Sequence, residues 1–171
     1  MKPLLSPALM LLSIGAVASA QTAPEPRYPN SADTANFGVR VFVVPDRQKF
    51  LESWSNPGAG VRVTTISKAK IGSNFAIPII YWGGSANSDG KCHMSVVLRI
   101  VLPSGSTVAV SDAKLLCSDQ PPPEKGALAL GRTIIDLQAS GVPTRLSLVI
   151  EATDLVNGER VSVGVPFEFI N

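Results

Sequence analysis

Few side chains in this 171-residue chain are equipped for chemistry, and they gather around one stretch. The only two cysteines, Cys92 and Cys117, bound the run CHMSVVLRIVLPSGSTVAVSDAKLLC, and the only histidine, His93, follows the first of them. An adjacent Cys and His suggest a nucleophilic pair, with the imidazole withdrawing the thiol proton. In an extended run, however, neighbouring side chains point to opposite faces, so Cys92 and His93 diverge. The same alternation keeps His93 and Met94 from chelating one copper ion. A Ser–His–Asp triad would have to use His93, and no Gly-x-Ser-x-Gly elbow presents a serine. Asn87-Ser88-Asp89-Gly90 begins like a calcium loop but lacks further acidic ligands. The thirteen acidic residues are scattered mostly over predicted solvent faces and turns, a distribution that does not favour the paired carboxylates of glycoside hydrolysis, although sequence alone leaves that arrangement open. The expectation is a protein with no catalytic residues, no metal and no cofactor.

The cysteines gain a different role once the elements that carry them are placed. With a turn at Pro103–Ser106, Leu102 faces Thr107, Leu98 faces Ser111, Met94 faces Leu115 and Cys92 faces Cys117. Directly opposed strand residues have Cβ atoms about 4.5–5.5 Å apart, close to the roughly 3.5–4.5 Å of a disulfide. The pair therefore reads as one disulfide at the open end of a β-hairpin, the simplest use of two cysteines in an exported chain. Met94, Val96, Leu98, Ile100 and Leu102 then share the core face with both cysteines. His93, Ser95, Arg99, Asp112 and Lys114 fall on the other face, mixed with Val97, Val101, Val108 and Val110. Asp112 lies diagonally from Arg99, which predicts a surface ion pair.

The N-terminus supplies the address. Lys2, an apolar run from Leu4 to Val17 and Ala18-Ser19-Ala20 form the pattern of a secretory signal peptide. The run is shorter than the ~20 apolar residues that a membrane span needs. Cleavage is expected after Ala20, giving a mature chain of about 150 residues, one domain's length, with no later membrane span. Export to the periplasm is favoured over full secretion. With Lys2 removed, 14 basic residues face 13 acidic ones, and no basic run points to nucleic acid.

Residues 21–36, rich in proline and polar side chains, read as a flexible leader. The domain, 37–171, begins with the strand FGVRVFVV, in which Val39, Val41 and Val43 alternate with Arg40 and Phe42. Asp46 can cap a short helix carrying Phe50, Leu51 and Trp54 on one side, stopped by Asn56-Pro57-Gly58. Trp54 is expected to close one end of the core. Strands follow at Val61–Lys68 and Asn74–Trp82, the second placed at an edge or bulged because Pro78 cannot donate to a ladder. After the disulfide hairpin, Ser118–Gly126 contains three prolines and reads as a stiff connector between sheets. A strand is expected at Arg132–Leu137. The last hairpin flanks Asn157-Gly158, the favoured two-residue loop, with Ala152 facing Val163, Leu148 facing Phe167 and Leu146 facing Phe169. Ser147, Glu151, Ser162 and Glu168 face water, and Pro166 again marks an edge strand or a bulge. The sum is an all-β, Ig-like antiparallel sandwich of seven to eight strands with one short helix.

The closing segment LSLVIEATDLVNGERVSVGVPFEF resembles the last two strands of immunoglobulin-like or fibronectin III-like domains of bacterial exported proteins. GKCHMSVVLRIVLPSGS, after a short helix bearing a Trp, is similar to short exported bacterial proteins with signal peptides. The chain departs from antibody-type domains, since its cysteines join neighbouring strands and no Trp sits between them. The resemblance implies a fold and no function. The functional expectation is a non-catalytic exported binding or accessory protein whose ligand and partner the sequence leaves open, an envelope protein being one candidate. Its binding surface is placed at the clamped end of the hairpin: Gly83, Gly84, Ser85, Asn87, Asp89 and Lys91 on one loop, with Asp119, Gln120, Glu124 and Lys125 on the other. The alternatives are an assembly subunit acting by strand addition at an exposed edge, and a hydrolase or metal-binding protein.

Overall fold

The computed structural model describes residues 28–56, 60–109, 111–124 and 126–171. The expected signal peptide, the cleavage point, the first part of the leader, and Pro57, Gly58, Val110 and Lys125 lie outside the described residues.

The protein is all-β with one short helix, as expected. Its elements are β1 (Ser31–Asp33), β2 (Phe37–Val41), α1 (Arg47–Ser55), β3 (Lys68–Lys70), β4 (Asn74–Ile77), β5 (Ile79–Gly83), β6 (His93–Val101), β7 (Thr107–Ala109), β8 (Lys114–Ser118), β9 (Ala129–Leu130), β10 (Ile135–Gln138), β11 (Thr144–Asp154) and β12 (Arg160–Ile170). One sheet has the order β1-β2-β5-β9, a second pairs β10 with β4, and the third runs β3-β12-β11-β6-β7 with β8 also on β6. All pairs are antiparallel except β3 on β12, which is parallel. One core unites the three sheets: Phe37, Val39, Val41 and Tyr81 from the first, Phe75 and Ile77 from the second, Met94, Leu98, Leu148 and Phe167 from the third.

The strand count exceeds the expected seven to eight because proline and turn chemistry divide long runs. Pro78 has no N–H to give, and the chain changes sheets there, with β4 pairing β10 and β5 pairing β2 and β9. The expected strand at Val61–Lys68 forms only as Lys68–Lys70; Arg62 bonds the Ser53 hydroxyl and Ile66 the Val43 carbonyl instead of a ladder partner. The strand expected at Arg132–Leu137 begins at Ile135. Residues 31–33, assigned by composition to a flexible leader, pair with β2.

Strands β6, β11 and β12 keep their expected inner faces, but both hairpins change register, and on the arm opposite β6 the faces exchange: Leu115, expected inward, is exposed, and Leu116 is buried. In the disulfide hairpin Val101 faces Thr107, whereas Met94 faces Cys117. The Leu98 N–H donates to the Ser111 hydroxyl in place of a ladder carbonyl. Leu116 is then an extra residue, because Ser95 faces Leu115 and Met94 faces Cys117. Cys92 and Cys117 are consequently diagonal neighbours on the inner face, with Cα atoms 5.8 Å apart, and they are disulfide-bonded. In the last hairpin Ala152 faces Val161 and Leu148 faces Val165. The loop has four residues, Leu155–Gly158, closed by a bond from Gly158 N–H to the Asp154 carbonyl. A shift of two positions leaves every side chain on its face, which is why the alternation survived. Ser147, expected at the water face, is buried.

Candidate functional site

At the clamped end the structure brings the two expected loops together. The Cys92 N–H donates to the Gln120 carbonyl, joining Ser85–Lys91 to the connector. Within the first loop, the Asn87 side chain accepts the N–H groups of Asp89 (2.9 Å) and Lys91 (3.0 Å), and the Asn87 N–H reaches the Lys91 carbonyl. Gly83 and Gly84 adopt positive φ (69° and 114°), and a Cβ on Gly83 would strike the Asn36 carbonyl. That oxygen accepts the Gly84 N–H. On the connector, the Ser118 hydroxyl and the Arg132 guanidinium hold the Asp119 carboxyl below the usual carboxylate range. The Gln120 amide donates to the Tyr81 hydroxyl (2.9 Å), which donates to the Cys117 sulfur (3.0 Å). Burial pushes the Tyr81 phenol up, against the opposing effect of Gln120. Glu124 is exposed, its carbonyl taken by the Ala127 N–H.

Two acids absent from the expected surface organise this end. Asp154 is fully buried and accepts the N–H groups of Ser85 (2.8 Å) and Val156 (2.9 Å). Glu159 accepts from the Thr34 hydroxyl and the Asn36 amide, both at 2.6 Å. Apart from Val156, two residues after Asp154, their partners come from distant sequence, so the joining role of neither acid is marked locally. The loops are thus closed by bonds within the chain. His93 is exposed while Cys92 is buried, so the two diverge as expected. Among the described residues no three His, Cys, Asp or Glu side chains group to hold a metal ion. Arg99 pairs with Glu151 on β11 at 2.8 Å, correcting the expected partner Asp112.

The open concavity lies on the outer face of the β2–β5 pair. Along β2, Val39 and Val41 point into the core, so Gly38, Arg40 and Phe42 point out. Register sets Gly38 opposite Trp82 and Arg40 opposite Ile80. Gly38 has no side chain, and the Trp82 indole occupies its place: a Cβ there would lie 2.1 Å from the ring. Helix α1 covers part of the same face. Asp46 caps it by accepting the Lys49 N–H, and Phe50, Leu51 and Trp54 pack with Val44, Ala76 and Leu130. What the helix leaves uncovered is a groove of about 580 Å³, floored by Trp82, Arg40, Phe42 and Ile80 and walled by Trp54 and Leu128. Trp54, expected to close the core, is half-buried and serves as that wall. Leu128 is 58% exposed and Val61, also on the rim, 37%. Arg40 makes no ion pair with any described carboxylate, Asp33 on β1 included. The alternation of Arg40 and Phe42 with inward valines was the available signal for this face; its junction with Trp82 across the sheet was not.

No family model and no curated protein matches the chain. Among solved structures, a family 123 glycoside hydrolase from Clostridium perfringens is similar over 78% of this chain, with a TM-score of 0.41 and 10% identity. The match spans 27% of that protein's length.

Proposed function

We propose that this protein is a non-catalytic exported binding module whose ligand seats in the groove on β2 and β5. One observation carries the reading: both tryptophans of the chain line one open apolar concavity, beside an arginine that has no ion-pair partner among the described residues. Ligand sites are commonly concave, mostly apolar and about 300–1,000 Å³, with few polar groups. Apart from the Arg40 guanidinium, the described lining offers no acid, base or nucleophile, which suits binding over catalysis. The outer strands of the described residues have two to five residues each, so strand addition finds only short edges to extend. Export is supported by the N-terminal sequence pattern and the buried disulfide.

The test is native mass spectrometry of the protein after incubation with a small-molecule extract of the cell envelope. The wild type is expected to begin at Gln21 and to carry a bound mass that Trp82→Ala loses while keeping its far-ultraviolet circular dichroism. An adduct retained equally by the folded variant, or no adduct on either protein, rejects the groove as a binding site.

A further inference from the structure

We infer that the groove takes a single-chain amphiphile with one anionic head, a fatty carboxylate, its head on Arg40 and its chain along Phe42, Ile80 and Trp82. This deepens the binding reading above and rests on it. The argument is one of matching inventories. The described lining has one full charge and no carboxylate or amide side chain. A sugar needs several fixed donors and acceptors for its hydroxyls, and these are missing. A polyphosphate needs more than one cation. A proline-rich peptide can use the aromatic walls but offers the guanidinium only neutral carbonyl acceptors. A monocarboxylate matches it with a charge-assisted bond, while an unbranched chain covers the apolar floor. The rim residues Val61 and Leu128 extend the apolar surface outward and give a chain something to lie against. The Trp82 indole lies over Gly38, so no side chain from that position interrupts the floor.

Trp54 and Trp82 are the only tryptophans, so emission excited selectively at tryptophan, beyond the absorption of the two tyrosines, reads the groove. The mature full-length protein is titrated with octanoate, decanoate and dodecanoate below their micelle concentrations, and with dodecanol and a decamer of proline as contrasts. The expected result is saturable emission change and a higher melting temperature. Each added methylene should tighten binding by up to about fourfold, the ratio that ~0.8 kcal/mol per buried methylene implies. Arg40→Gln should weaken dodecanoate about tenfold, the loss of one charge-assisted bond, and leave dodecanol unchanged. The inference is overturned by the absence of saturation, by equal dodecanoate affinity in Arg40→Gln, by a lowered melting temperature, or by tighter binding of the proline decamer. A groove-dependent adduct from envelope extract alongside any of these results would leave the binding module standing with a different ligand.

Discussion

Asp154 concentrates much of the polar order of the molecule in one side chain. Its two oxygens hold backbone N–H groups from two segments, Ser85 before the disulfide hairpin and Val156 in the last turn. Bonds to a charged acceptor are worth about 1.5–3 kcal/mol, and a donor left unpaired adds to the loss. Asp154→Ala is therefore expected to lower unfolding stability by about 3 kcal/mol, read from the urea midpoint at unchanged slope. Asp154→Asn, which keeps one acceptor oxygen, should lose less. An alanine variant as stable as the wild type would show that the carboxylate does not hold the turn. This role was not legible in sequence, because the bond to Ser85 spans 69 positions and a terminal strand aspartate looks like any other. The cysteines were legible because both partners lie in one hairpin. Gly38 was not: a glycine in FGVRV gains its meaning only from the indole lying over it.

Among the elements, the disulfide hairpin shows how local detail reshapes a correct outline. Alternation placed Met94, Val96 and Leu98 inward, and they are buried. The register followed from assuming regular ladders on both sides of the turn. The Ser111 hydroxyl and the extra residue Leu116 break that regularity, and neither is marked by residue type. The last hairpin slips for a related reason: the Asp154 carboxylate and carbonyl stabilise a four-residue loop where Asn157-Gly158 alone favours two. Joining residues 25 apart, the disulfide removes chain entropy from the unfolded state worth about 3 kcal/mol. Replacing both cysteines by alanine should lower the urea midpoint accordingly. In the native wild type neither cysteine should react with iodoacetamide, since both are in the bond and buried. An unchanged midpoint in the double variant would assign the bond a purely local role.

For the whole molecule, the segment before Phe37 matters more than its composition suggests. The Asn30 carbonyl accepts the Val41 N–H from one sheet and the Pro29 carbonyl accepts the Gly164 N–H from another. The polypeptide thus straps two sheets together and covers the outer edge of β2. A chain begun at Phe37 uncovers that edge, and open edges invite pairing between molecules. Sedimentation should show self-association of the shortened chain, and thermal melting a lower midpoint; a monomer with the wild-type midpoint would deny the strap a structural role. The all-β class was legible at this scale because it rests on alternation summed over many runs. The division of one strand between sheets at Pro78 required knowing its partners.

The parallel pairing of β3 with β12 also sets an order of events during synthesis. Lys68–Lys70 finds its neighbour in Glu168–Ile170, a hundred residues later, and the centre of the same sheet is β11 between β6 and β12. The sheet has no complete middle until residues 144–170 have left the ribosome. Contacts that distant are slow to form, so the closing of this sheet waits on the last hairpin and is the step that a change in β11 or β12 would delay.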